Sequence, residues 1–171
     1  MSTIINNKVS ESGLITIDLA SFMPNNEILL FDIKPYLFME LILKEKDFRN
    51  ALATTDWSQY QDKIVGIHCT ADAIIPMWAN MLIVASLEPF ASAVYFGNEE
   101  KVREQIILNN IHSIQAKDYN DQRVVIKGCG ETPVGESAYI AITQKLCPVV
   151  KSIMYGEPCS TVPVFKRKPT T

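Results

Sequence analysis

KIVGIHCTADAIIPMWANMLIVASLEPFASAVYFGNEEKVREQIILNNIHSI, Lys63 to Ile114, passes twice from a short apolar run into a helical pattern, and that alternation decides the fold. KIVGIHC reads as a buried strand and AIIPMWANMLIVASL (Ala73–Leu87) as a helix that is apolar almost all round. AVYFG (Ala93–Gly97) reads as a strand and NEEKVREQIILNNIHSI as an amphipathic helix. In that helix Glu99 and Glu100 suit the positive N-terminal end, and Val102, Ile106 and Ile111 trace the inner stripe. RVVIKG (Arg123–Gly128) is the next strand. Strands separated by helices pair in parallel, because each return needs a crossover that packs over the sheet.

Upstream, GLITIDL (Gly13–Leu19) puts Ile15, Ile17 and Leu19 on one side of a strand, and ILLFDIK (Ile28–Lys34) supplies another. Pro35 then suits a first helical position, and Phe38, Leu41, Ile42, Phe48 and Leu52 recur at helical spacing, which predicts one long helix. Downstream, a last helix is expected from near Pro133, with Tyr139, Ile142, Leu146, Val149 or Val150, and Ile153 on one face. It is expected to kink at Pro148 and to stop near Tyr155, before Gly156 and Pro158. VPVFKR reads as an added edge strand. No repeat or linker stands out, so the expectation is a single α/β domain over residues 1–171, with loose termini at 1–12 and 167–171. Its sheet is expected to be mostly parallel or mixed, with about five strands covered by four helices.

A chain of 171 residues can bury a core without disulfides or metal. A net charge of -3 gives no pull toward nucleic acid or an anionic membrane surface, so neither is expected as a partner. The polar start MSTIINNKVSESG lacks the basic and apolar segments of a signal peptide, and the apolar run Ala73–Leu87 is short for a span and holds Pro76 and Asn80. The expected location is cytoplasmic, where the four cysteines are free thiols or ligands. The Lys166, Arg167 and Lys168 tail reads as a solvated end.

Chemistry in an open α/β sheet sits beyond the carboxyl ends of the strands. Cys69 ends KIVGIHC and Cys129, set between Gly128 and Gly130, ends RVVIKGC, each just ahead of a predicted helix. A helix start favours thiolate, and flanking glycines let backbone approach closely and form an anion-binding nest. Cys159 falls in the turn after the last helix, whereas Cys147, beside Pro148, reads as a packing residue. Cys69, Cys129 and Cys159 are therefore the candidate metal ligands, with zinc or an iron–sulfur cluster as the fitting cofactors. Gly128, Gly130, Asp72 and Glu136 are the candidate cofactor-binding positions on the same rim, Asp72 also reading as a helix cap. No short paired spacing such as CxxC is present, so any metal site is assembled by the fold. His68 alternates with Cys69 along its strand, and His112 reads as an exposed residue. There is no dinucleotide fingerprint, phosphate loop or nucleophile elbow.

The runs DIKPYLF, LKEKDFR, DWSQY, ADAIIPMWANML, VVIKGCGETPVGESAY and KSIMYGEPCSTVPVFKR resemble a bacterial family of proteins of unknown function, domain of unknown function family 2480. The resemblance covers nearly the whole chain. It implies a stand-alone cytoplasmic protein whose relatives are encoded among iron–sulfur cluster assembly components, and it implies a part for Cys69, Cys129 and Cys159. Three readings follow. In the first, a thiol-based accessory or binding protein holds a metal, a cluster or persulfide sulfur, with iron–sulfur assembly proteins as partners. The second is a structural or interaction module, able to pair as a homodimer, with cysteines in its core. The third is an enzyme with Cys129 as nucleophile.

Overall fold

The structure, a computed structural model, describes residues 13–128, 133–157 and 159–168. Among these, the order is β1 (Leu14–Asp18), β2 (Ile28–Asp32), α1 (Glu45–Thr54), β3 (Ile64–His68), α2 (Met77–Leu87), β4 (Ala93–Phe96) and α3 (Glu99–Ser113), then β5 (Arg123–Lys127), α4 (Glu136–Leu146), β6 (Ser152–Glu157) and β7 (Ser160–Lys166). The α/β class and the four helices read from the sequence are those observed. The strands divide between a sheet ordered β1-β5-β6-β7 and one ordered β2-β3-β4. All pairs are parallel except β6 with β7.

The chain forms two compact units, one of Met1–Met23 with Ile106–Thr171 and one of Pro24–Gln105. We call them the split unit and the continuous unit. The split unit holds the four-stranded sheet, and its core gathers Ile17, Val124, Ile126 and Ile153 from strands with Ile111, Ala138, Ile142 and Leu146 from helices. In the continuous unit Phe31, Val65 and Ile67 of the three-stranded sheet pack against Phe48, Leu52, Ala79, Ile83 and Leu87. The stripe of Val102, Ile106 and Ile111 on α3 is buried along its length, as its spacing predicts.

Two sequence expectations fail at turns. Lys34–Tyr36 is a single 3-10 turn, and the first helix begins only at Glu45. Between them the Phe38 N–H donates to the Ile42 carbonyl at 2.7 Å and the Ile42 N–H returns to Phe38 at 3.1 Å, closing a tight hairpin. Met39 and Glu40 at its tip have φ of 53° and 58°, outside any right-handed helix. The apolar residues assigned to a helical stripe, Phe38, Leu41 and Ile42, are consequently exposed, and only Phe48 and Leu52 are buried. At the other end the helix stops at Leu146 instead of running to Tyr155. Pro148 has no N–H to continue it, and Ser152–Glu157 instead forms β6 between β5 and β7. The edge strand read in VPVFKR is present as part of β7.

The chain also contains a duplication that its sequence does not advertise. A shift of 59 carries the 3-10 turn Trp57–Tyr60 onto Ala116–Tyr119, β3 onto β5, α2 onto α4, and Ala93–Phe96 onto the first four residues of β6. Local bonds repeat as well: the Asp62 N–H donates to Phe90 O and the Asp121 N–H to Val149 O, each at 2.9 Å. Between Trp57 and Asn98 the identical residues at this shift are Tyr60/Tyr119, Asp62/Asp121, Val65/Val124, Ile67/Ile126, Ala79/Ala138, Ile83/Ile142, Leu87/Leu146, Pro89/Pro148 and Gly97/Gly156. Most are core residues, and two pairs hold left-handed backbone, with φ of 58° and 56° for the aspartates and 135° and 117° for the glycines. What repeats is thus what a parallel βαβ unit needs to pack and turn, while its surface has diverged.

Candidate functional site

Each unit presents a rim where its parallel strands end, and each begins with an aspartate at the end of its first strand. In the continuous unit Asp32 is occupied within the fold. Its Oδ1 accepts from the Lys34 N–H at 2.9 Å and the Thr70 N–H at 3.0 Å, and its Oδ2 accepts from Thr70 Oγ1 at 2.5 Å. Burial pushes its carboxyl up, but the Thr70 hydroxyl, the two amides and the nearby His68 outweigh that and hold it below the usual carboxylate range. Asp32 is a clasp on the loop after β3.

Asp18, its counterpart in the split unit, accepts among the described backbone donors only from the Ala20 N–H, at 3.0 Å, and turns its other oxygen toward Lys127, 3.5 Å away. Lys127 ends β5 and also meets Glu157, at the end of β6, at 3.7 Å. The Glu157 and Asp18 charges raise the Lys127 pKa above the ordinary lysine value. Three neighbouring parallel strands therefore end in an acid, a base and an acid. Just past Lys127, Gly128 lies against the Tyr139 hydroxyl, leaving no room for a Cβ, and the Tyr139 ring meets Tyr155 edge-on at 5.7 Å. Beside them, an apolar cleft of about 500 Å³ is lined by Tyr139, Ile140 and Thr143 of α4, Met154 and Tyr155 of β6, and Val164 of β7.

The candidate residues fare differently. Cys129 and Gly130 lie outside the described residues. Cys69 is half-buried and packs on the core of the continuous unit, whereas Cys159 is an exposed free thiol in the turn between β6 and β7. Cys147 packs on the core of the split unit, as its sequence setting suggests. Cys69 and Cys129 were expected on one sheet, but β3 and β5 belong to different sheets. Nor are they equivalent: Cys69 is one residue past its strand and Cys129 two, so the shift of 59 pairs Cys69 with Gly128 and Cys129 with Thr70. Asp72 is exposed and caps nothing, because α2 starts at Met77 with Pro76 in extended backbone at its cap. Residues before a proline avoid the helical region, which pushes the start past Ile75. Glu136 is the exposed first residue of α4, beneath an uncapped Gly135, and His112 is exposed as expected. Among the described residues, no three His, Cys, Asp or Glu side chains gather to hold a metal, and no helix is long and apolar enough to cross a membrane.

Sequence reasoning missed Asp18, Lys127 and Glu157. The signal was available, since all three terminate apolar runs, but their convergence depends on β1 pairing with a strand more than a hundred residues later.

Fold and rim together define an α/β protein with a duplicated parallel core and a charged strand-end site in one copy. The chain matches the family described as Protein of unknown function (DUF2480) over residues 3–167 and belongs to it. No curated protein and no solved structure matches it.

Proposed function

We propose that this is a cytoplasmic, thiol-based accessory protein of iron–sulfur cluster assembly, working at the rim of the split unit through Cys129 and Cys159. One observation carries the reading. The Lys127–Glu157 ion pair ties the ends of β5 and β6 together, and each of those ends leads within two residues to a cysteine. Thiolates bind zinc and iron–sulfur clusters, and two of them leave coordination positions open, which suits holding and handing over rather than permanent structural binding.

Anaerobic reconstitution with ferrous iron and sulfide, or with zinc, tests this. Near one metal or cluster per chain is expected, lost in Cys129→Ser and Cys159→Ser and kept in Cys147→Ser. Absence of metal and labile sulfide, or binding indifferent to both rim cysteines, overturns it. The apolar cleft supports a second reading, a binding module in which the cysteines take no part in binding. That reading expects wild-type partner or ligand binding in both rim variants, and it drops if those variants lose binding while remaining folded.

A further inference from the structure

The duplication shows what is missing at the edge of the continuous unit. In the split unit, β6 is covered along its outer edge by β7, antiparallel, with Tyr155 opposite Val162. The shift of 59 places β4 where β6 lies, Phe96 at Tyr155, Met81 at Ile140 and Val84 at Thr143. Yet β4 pairs only with β3, and among the described residues no strand takes the place of β7. The residues corresponding to the walls of the cleft are more exposed than their counterparts: Phe96 is 64% exposed against 48% for Tyr155, and Met81 71% against 58% for Ile140. Asn80, in the place of Tyr139, adds a buried side-chain oxygen with no donor among the described residues.

We infer that this edge is completed by a second copy of the chain, β4 pairing antiparallel with β4 of its partner across a two-fold axis, so that two three-stranded sheets become one of six strands. Three features select a second copy. Antiparallel pairing is the sense already used by β7 on the equivalent edge. A two-fold axis sets each patch against its own kind, so a charged patch would repel itself, and neither AVYF nor MWANMLIVASL contains a charge. Finally, exposed edges are ordinarily protected by proline, charge or a bulge. β7 has Pro163, Lys166 and a bulge between Ile153 and Met154 of its partner strand, whereas β4 has no proline, no charge and no irregularity in its register. Gln105 Nε2 does donate to the outward Phe96 carbonyl of β4 at 2.9 Å, and must release it for the seam to form. Met81 and Met77, both flexible and polarizable, suit the helix face beside such a seam.

Sedimentation velocity of the full chain across roughly 1–100 μM tests the inference, a range in which a dimer of micromolar affinity is resolved. A dimer is expected. Phe96→Lys and Met81→Glu, both at exposed positions, should each weaken it at least about tenfold, while Val162→Lys on β7 should leave it intact. A wild-type chain that stays monomeric throughout overturns the proposal. So does a dimer that tolerates both substitutions, or one dissolved by Val162→Lys alone, since its seam would then lie elsewhere.

Discussion

Asp32 and Asp18 end the first strands of two versions of one βαβ arrangement, and they do opposite things with the same carboxylate. Asp32 is consumed by its own loop, with Thr70 and Lys34 supplying its donors. Asp18 keeps an oxygen for Lys127, and Lys127 in turn reaches Glu157. At the shift of 59, His68 stands for Lys127 and Asn98 for Glu157, so the charged triplet exists in one copy only. Duplication has left one rim as a structural clasp and the other as a charged surface, and the core beneath them is nearly the same. Chemistry is therefore to be sought at the split unit, and architecture at the continuous one.

The two units are most alike in their cores. Ile83 and Ile142 are equivalent and fully buried, so Ile83→Ala and Ile142→Ala should each cost about 3–4 kcal/mol by denaturant titration. A loss below about 1 kcal/mol in one of them would show that the two cores are not packed alike. Gly66 against Val125 comes next. A Cβ on Gly66 would sit 2.8 Å from Leu30, 2.9 Å from the Gly97 carbonyl and 2.9 Å from Val102, so importing its counterpart as Gly66→Val should cost about 2–3 kcal/mol. An unchanged melting curve for that variant would mean the two strands share one packing environment after all.

At the rims, Asp32→Ala should cost about 1–2 kcal/mol by removing donors' partners on two loops, and Asp18→Ala, with one backbone partner, about 0.5–1 kcal/mol. The Asp32 contribution has a definite pH signature. Its folded pKa is depressed, so the stabilisation is present above the unfolded value, about 3.9, and disappears as pH falls through the lower folded value. Wild type should lose stability relative to Asp32→Asn on acidification below about pH 4, and parallel acid titrations of the two would disprove the clasp. Lys127 works the other way. Its folded pKa is raised, so its contribution holds below about 10.4 and is lost only as pH rises beyond that, through the folded value. The smallest effect belongs to the two left-handed aspartates. Asp62→Gly should be neutral to about 0.5 kcal/mol stabilising, whereas Asp121→Gly also gives up the 2.9 Å pair with Arg167 and should fall below it. Equal shifts in melting temperature would show that the Arg167 pair contributes nothing.

Much of the fold was legible because its signals are local. The period-two run Leu14–Asp18, the short runs leading into Ile64–His68 and Arg123–Lys127, and the stripe on α3 all state their structure within a few residues. What stayed hidden was non-local or held by unusual backbone. Met39 and Glu40 adopt positive φ without being glycine, so nothing in YLFMELI marks a turn. The duplication escaped because the matching residues are sparse and mostly common core types such as Val, Ile, Ala and Leu. The candidate site was read in half: the sequence pointed to the end of β5, but only the pairing of β1, β5 and β6 brings Asp18, Lys127 and Glu157 together.

The split unit takes its first strand from one end of the chain and the rest from the other, with Leu14 paired to Arg123. During synthesis the continuous unit, Pro24–Gln105, has emerged whole before β5 exists, and can collapse at once on local contacts. β1 must wait through that whole interval as an unpaired strand, since among the described residues its only neighbouring strand is β5. Thr16 on its outward side and Asp18 at its end keep that waiting strand from being uniformly apolar, so what serves as a rim in the finished protein also guards the nascent one against sticking to its neighbours.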